Sequence, residues 1–250
     1  MNQLRSTERK VYIGPHESVD ELLDVHLKLI QSKTGYRFSI DALLLSEFVT
    51  VRKNDIILDL GTGCGIIPLL LLKQKAIRYA VGLEIQKELA DQAARNIELN
   101  GFRQRMSVVR GDIRHNPLNP MSVDVVICNP PYRQKDNGRI NPNPQRAVAR
   151  HEILATSNDI LETARGVLKP KGRLAIIYPT ERLADLMIRM RGFELEPKRM
   201  RLVYPNMESE AKLVLIEASM KGRPGLKVLP PIFDQGGYSI DHSVREQSLL

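Results

Sequence analysis

Asp55-Ile56-Ile57-Leu58-Asp59-Leu60-Gly61-Thr62-Gly63-Cys64-Gly65 decides the architecture. Its apolar, β-branched opening reads as a buried strand. The glycines that follow permit φ > 0 and let a ligand approach the backbone. Residues 66–74 then read as a helix, with Pro68 in the first turn, where a missing N–H costs little. The same alternation continues down the chain. Residues 80–84 read as a second strand, 86–100 as a helix ended by Gly101, and 106–110 as a third strand. The fourth strand, 124–128, stops at Asn129-Pro130-Pro131-Tyr132, because proline cannot donate to a sheet ladder. A helix over about 152–167 is stopped by Lys169-Pro170-Lys171-Gly172, and residues 173–178 are the fifth strand. A helix over 181–190 and an antiparallel strand pair, 198–204 and 211–219, complete the set. Strands alternating with helices predict an α/β, doubly wound, mostly parallel seven-stranded sheet. Such sheets bind ligands at the carboxyl ends of their strands.

Working outward, residues 1–21 are polar and mixed. Residues 26–31 and 36–40 alternate in a strand-like way around the turn candidate Ser32-Lys33-Thr34-Gly35, which predicts a β-hairpin. Asp41 is the expected cap of a helix over 42–50, with Leu43, Leu44, Leu45 and Phe48 for burial. Residues 1–50 are thus expected to form a hairpin and helix extension packed on a main domain of residues 51–250. A chain of 250 residues can bury a substantial core. No apolar run reaches the ~18 residues that would span a membrane, and no apolar segment follows Met1-Asn2-Gln3-Leu4-Arg5 as in a secretory signal. Two cysteines, both in expected core elements, fit a reducing cytoplasm. No cluster has metal-ligand spacing. The net charge of +8 points toward a polyanionic partner.

Three acids fall at the ends of successive strands: Asp59, Glu84 and Asp112. The carboxylate of Glu84 suits both hydroxyls of a ribose. The turn is spaced Gly-x-Gly-x-Gly, not the Gly-x-Gly-x-x-Gly of dinucleotide folds. Cys64 reads as a small core residue. With these residues the sequence resembles the Rossmann-like class I methyltransferases that use S-adenosylmethionine. The resemblance implies that Asp59, Gly61, Thr62, Gly63 and Gly65 border the methionine moiety of the donor. It implies that Glu84 holds the ribose, with Ile85 against the adenine. Asp112 would accept the adenine amino group, with Ile113 beside it, and Asn129 would border the methyl group.

Asn129, Pro130, Pro131 and Tyr132 are the expected catalytic set. An exocyclic amine is a poor nucleophile because its lone pair is conjugated. The Asn129 side-chain oxygen and the Pro130 carbonyl can accept its two N–H protons and aim the lone pair at the methyl group. Tyr132 offers a stacking face for the target base, a contact worth about 1–3 kcal/mol. The polar stretch that follows carries Arg133, Lys135, Arg139, Arg146 and Arg150 against one acid, Asp136, which suits a nucleic acid backbone.

Longer stretches carry a closer resemblance. They are residues 35–45, 59–66, 129–132, Arg150-His151-Glu152 and Leu229-Pro230-Pro231-Ile232. In these the chain resembles the bacterial tRNA1(Val) adenine-37 N6-methyltransferases. That resemblance implies methylation of the adenine 3′ of the anticodon, and places residues 36–41 beside the donor pocket. The tetrad also serves enzymes that methylate ribosomal RNA guanine N2 or release-factor glutamine. An RNA-binding module that keeps the fold without the activity is a further alternative.

Overall fold

The computed structural model describes residues 11–35, 37–131 and 155–233. In chain order the elements are β1 (Glu17–Leu22), β2 (Leu27–Ser32), α1 (Ile40–Phe48), β3 (Ile56–Leu60), α2 (Ile66–Gln74), β4 (Tyr79–Glu84), α3 (Lys87–Leu99), β5 (Met106–Arg110) and β6 (Val123–Cys128). They continue with α4 (Ser157–Val167), β7 (Leu168–Pro179), α5 (Leu183–Gly192), β8 (Leu195–Tyr204), β9 (Leu213–Met220), β10 (Lys227–Val228) and β11 (Ile232–Phe233).

The main sheet runs β10-β8-β9-β7-β6-β3-β4-β5, with β11 also on β8. Only β9 pairs antiparallel with its neighbours; the other strand pairs are parallel. The expected doubly wound α/β sheet is present, with nine strands among the described residues instead of seven. The two additions are two-residue strands on the outer edge of β8, too short to leave a pattern.

Alternation along the buried strands divides the core in two. Ile57, Val125, Ile127, Ala175 and Ile177 pack with α1 and α2. Leu58, Val126, Leu174 and Ile176 face the other way, onto α4 and α5. Burying one such side chain contributes about 1.5–3 kcal/mol. Between β6 and β7 the register jumps from Val123↔Leu168 to Val125↔Arg173. Lys169-Pro170-Lys171-Gly172, expected as a helix stop, is therefore a bulge inside one longer strand. Lys169 bonds Asp124 from it at 2.9 Å. The helix expected from residue 152 begins at Ser157, where Thr156 and Asp159 form a reciprocal capping box.

The hairpin departs from expectation. Residues 27–32 do form a strand, but β2 pairs backward with β1 and not forward with residues 37–40, Tyr36 lying outside the described residues. Asp20 on β1 is buried, and bonds the side chains of Gln31 and Arg37. The Phe38 N–H donates to the Gln31 side chain at 3.0 Å, so the chain after Gly35 is held by side chains and not by a ladder. Four of the six β1 residues are polar or acidic and carry little strand propensity. Pairing with β2 overrides that preference.

The other edge of β2 is closed by two asparagines of α3. Asn96 accepts from the Ile30 N–H at 2.6 Å and donates to the Ile30 carbonyl at 3.1 Å. Asn100 does the same for Lys28, at 3.0 and 2.6 Å. Four helical residues advance about 6 Å and two strand residues about 6.7 Å, so the spacings match. The two side chains act as a surrogate strand for an edge that would otherwise be open. Asn96 also donates to the Cys64 carbonyl at 3.0 Å, which ties the hairpin to the glycine-rich turn.

Candidate functional site

From β3 the chain winds one way to β4 and β5, then crosses back to β6 on the other side. That reversal is the topological switch point where such sheets bind ligands. A cavity of about 230 Å³ opens there. Gly61, Gly63, Glu84, Ile85, Asp112, Ile113, Asn129, Pro130 and Pro131 line it. Strand ends far apart in sequence are thus brought together by parallel register.

The turn after β3 is pinned to β4. The N–H groups of Gly61 and Thr62 both donate to the Leu83 carbonyl, at 2.8 and 3.1 Å. Gly61, Gly63 and Gly65 have φ of +72, +57 and +87°, conformations that side chains disfavour. Glu84 is buried, and its two oxygens accept the N–H groups of Gly63 and Gln86 at 2.9 Å each. Burial pushes its pKa up, and those two donors oppose the rise. One carboxylate therefore shapes the turn and presents its remaining lone pairs to the cavity.

Asp59, Thr62 and Gly65 stand outside the cavity lining, behind the turn. Asp59 is buried and accepts the Thr62 hydroxyl at 2.7 Å, while its Oδ1 has no hydrogen-bond partner among the described residues. Desolvation lifts its pKa to about 7; the Thr62 bond opposes this and the neighbouring Glu84 charge adds to it. The folded protein thus holds this proton more tightly than the unfolded chain. Asp59 should make unfolding free energy fall as pH rises from about 4 to about 7, and contribute no slope above that. Urea midpoints of wild type and Asp59→Asn across pH 5–8 check this. Equal slopes for the two proteins would show that Asp59 is ionised throughout.

Gly82 lies opposite Asp59 in the β3–β4 register. A Cβ there would stand 2.6 Å from Cγ2 of Thr62 and 2.9 Å from its Oγ1. Gly82→Ala should push Thr62 off Asp59 and destabilise the protein by about 1–3 kcal/mol, as overpacking does. A lower denaturation midpoint is the expected reading, and Gly82→Ala with Thr62→Ser should recover part of it.

Asp112 caps the turn after β5. Arg114 bonds it through the main-chain N–H at 2.9 Å and through the guanidinium at 2.5 and 3.0 Å. That guanidinium holds the Asp112 pKa below the usual carboxylate value. The cavity is also lined by Ser39 and Asp41, from the start of α1. Asp41 sits in the first helical turn and Ser39 is the N-cap residue, so Asp41 is not the cap the sequence suggested. Gln86, Leu89, Arg114, Ala155 and Ile160 also line it and were not anticipated. Arg114 is the one with a readable signal, a cation two residues after a strand-end acid. Cys128 lines the cavity too, but burial raises its thiol pKa well above the ordinary value; that of Cys64 is pushed up to about 12. Neither thiol supplies a thiolate near neutral pH.

Tyr132, Arg133, Lys135, Arg139, Arg146 and Arg150 lie outside the described residues. Among the described residues no group of His, Cys, Asp and Glu could hold a metal ion, and no helix is long and apolar enough to cross a membrane.

A family model described as the methyltransferase small domain matches residues 39–190. The chain is 34% identical over 152 residues to a tRNA1(Val) (adenine(37)-N6)-methyltransferase of Tolumonas auensis; the match takes in 60% of this chain and 62% of that relative. It is 30% identical over 188 residues to the protein of the same name from Parabacteroides distasonis, covering 75% of this chain and 78% of the other. Among solved structures, a predicted O-methyltransferase from Agrobacterium tumefaciens superposes with a TM-score of 0.61 at 21% identity, over 77% of this chain and 86% of the other. A geranyl diphosphate C-methyltransferase from Streptomyces coelicolor, solved with S-adenosyl-L-homocysteine, gives 0.55 at 13%, over 72% and 78%. The two structural likenesses are likenesses of fold.

Proposed function

The chain belongs to the methyltransferase small domain family and groups with the tRNA1(Val) (adenine(37)-N6)-methyltransferases; on that premise we propose that it methylates N6 of adenine 37 in the anticodon loop of a tRNA. The observation that carries the reading is that Asn129 and Pro130 line the same cavity as Glu84 and Asp112. An amine acceptor pair and a nucleoside-binding acid pair thus share one cleft.

The residues present fit S-adenosylmethionine. Glu84 is a buried carboxylate suited to the ribose diol, and the apolar side chains of Ile85, Leu89 and Ile113 suit the faces and edge of an adenine ring. Asp112 would take the adenine amine. When bound, the donor supplies a methyl group on a positively charged sulfur.

The work of this chain is orientation. The Asn129 side-chain oxygen and the Pro130 carbonyl accept the two N–H protons of the target amine and turn its lone pair toward the methyl group. Two successive prolines restrict the backbone, so the carbonyl is aimed before substrate arrives. Tyr132 stacks on the base, which must leave the anticodon loop to reach the cleft. Arg133, Lys135, Arg139, Arg146 and Arg150 bind the phosphates of that loop. After transfer the amine sheds a proton to solvent without a dedicated base.

Purified protein, tRNA and radiolabelled donor should give N6-methyladenosine at one position of one tRNA, located by nuclease digestion and mass spectrometry. Label in a release factor or in ribosomal RNA, with none in tRNA, would replace the substrate. Binding of tRNA with no binding of the donor by calorimetry would favour the RNA-binding module.

A further inference from the structure

Among the described residues, Arg114 alone donates to the Asp112 side chain. The Arg114 main-chain N–H and Nε contact Oδ1, and Nε and Nη2 contact Oδ2. A carboxylate offers about four lone-pair positions, and three N–H groups engage both of its oxygens, with the Nε–H shared between them. The turn beneath is held in place: Thr163 of α4 donates to the Ile113 carbonyl at 2.9 Å. The guanidinium is not held in this way. Among the described residues Asp112 is its one ion-pair partner, and its side chain is about half exposed, at 49%. Both residues line the cavity.

We propose that Arg114 is an affinity- and specificity-setting residue of the nucleoside pocket, whose guanidinium competes with the adenine amine for the carboxylate of Asp112. This rests on reading the cavity as the donor site. An incoming amine competes for Asp112 with a guanidinium N–H that already engages it. The main-chain N–H of Arg114 can stay, because the turn does not move. The net gain from the amine is therefore the difference between two hydrogen-bonded partners of one carboxylate. Recognition of adenine over a purine without the amine is blunted, and donor affinity is set below what the pocket walls alone would give. Moderate affinity suits a site that must release its demethylated product each cycle. Because the competing contact is an exposed ion pair, salt weakens it and so favours the ligand.

The test uses calorimetry with S-adenosylhomocysteine and with its analogue lacking the 6-amino group, on wild type and Arg114→Met. Methionine keeps an unbranched apolar stem and removes the charge. Arg114→Met should bind S-adenosylhomocysteine about 1.4- to 5-fold more tightly, the range set by exposed ion pairs. Its preference for the amino form over the deamino analogue should rise by the same factor. Raising salt from about 50 to about 500 mM should tighten binding to wild type and leave the variant unchanged. Equal or weaker binding by the variant, with an unchanged amino preference, overturns the proposal and leaves the donor site standing. If neither protein binds S-adenosylhomocysteine, the donor-site reading fails and the proposal falls with it.

Discussion

Asn129→Ala should lower single-turnover methyl transfer about 10²- to 10³-fold, the loss seen when one preorganised hydrogen-bonding group is removed from an active site. The reason is local. β6 ends at Cys128, one residue before two prolines that cannot donate to the ladder. The Asn129 amide is therefore released from the sheet at the edge of the cavity, half-buried, with Pro130 buried beside it. Alanine removes the side-chain acceptor and leaves the Pro130 carbonyl in place. The amine then keeps one of two orienting contacts. Donor affinity should change only a few-fold, because Glu84 and the glycine-rich turn do not depend on this side chain. Rate and affinity measured on the same preparation separate the two effects. Transfer within a few-fold of wild type would remove Asn129 from the chemistry.

Glu84→Ala should act on the opposite term, weakening donor binding about 10²-fold or more. Hydrogen bonds to a charged group are worth about 1.5–3 kcal/mol each, and a ribose diol makes two. A second loss adds to this. Glu84 is the acceptor for the Gly63 N–H, so alanine leaves a buried donor of the turn without its partner. Glu84→Gln keeps an oxygen for Gly63 and should recover part of the affinity. The two substitutions should also differ in stability, with alanine the lower. Calorimetric titration with S-adenosylhomocysteine reads the affinities, and urea melts read the stabilities. Alanine and glutamine variants of equal affinity, both near wild type, would place the ribose elsewhere.

Much of this site is legible in one dimension because it is built from strand ends. Asp59, Glu84 and Asp112 each end an apolar run or follow it directly, and Asn129 is followed by the prolines that stop its strand. Once the strands are parallel and in the order β6-β3-β4-β5, these positions share one edge of the sheet. The hairpin was less legible. The alternation of residues 26–31 marked a strand but carried no information about its partner, because period-2 patterning looks the same in both directions along the chain. The acidic β1 gave no propensity signal to correct it.

The sequence by itself determined the succession of strands, turns and helices, the acids at their ends and the polar stop at Asn129. These are local consequences of side-chain branching, backbone freedom at glycine and the missing N–H of proline. Only the tertiary structure decided that Asp59 stands behind the turn on Thr62 while Glu84 faces the cavity. It alone placed Asn96 across the edge of β2 and onto the Cys64 carbonyl, and wrapped Arg114 around Asp112. Those are hydrogen bonds between side chains or across 32 to 66 residues of chain. The Asp59–Thr62 and Asp112–Arg114 bonds join residues three and two apart, whereas the Asn96 bonds depend on which faces the folded layers bring together, and no local pattern encodes those.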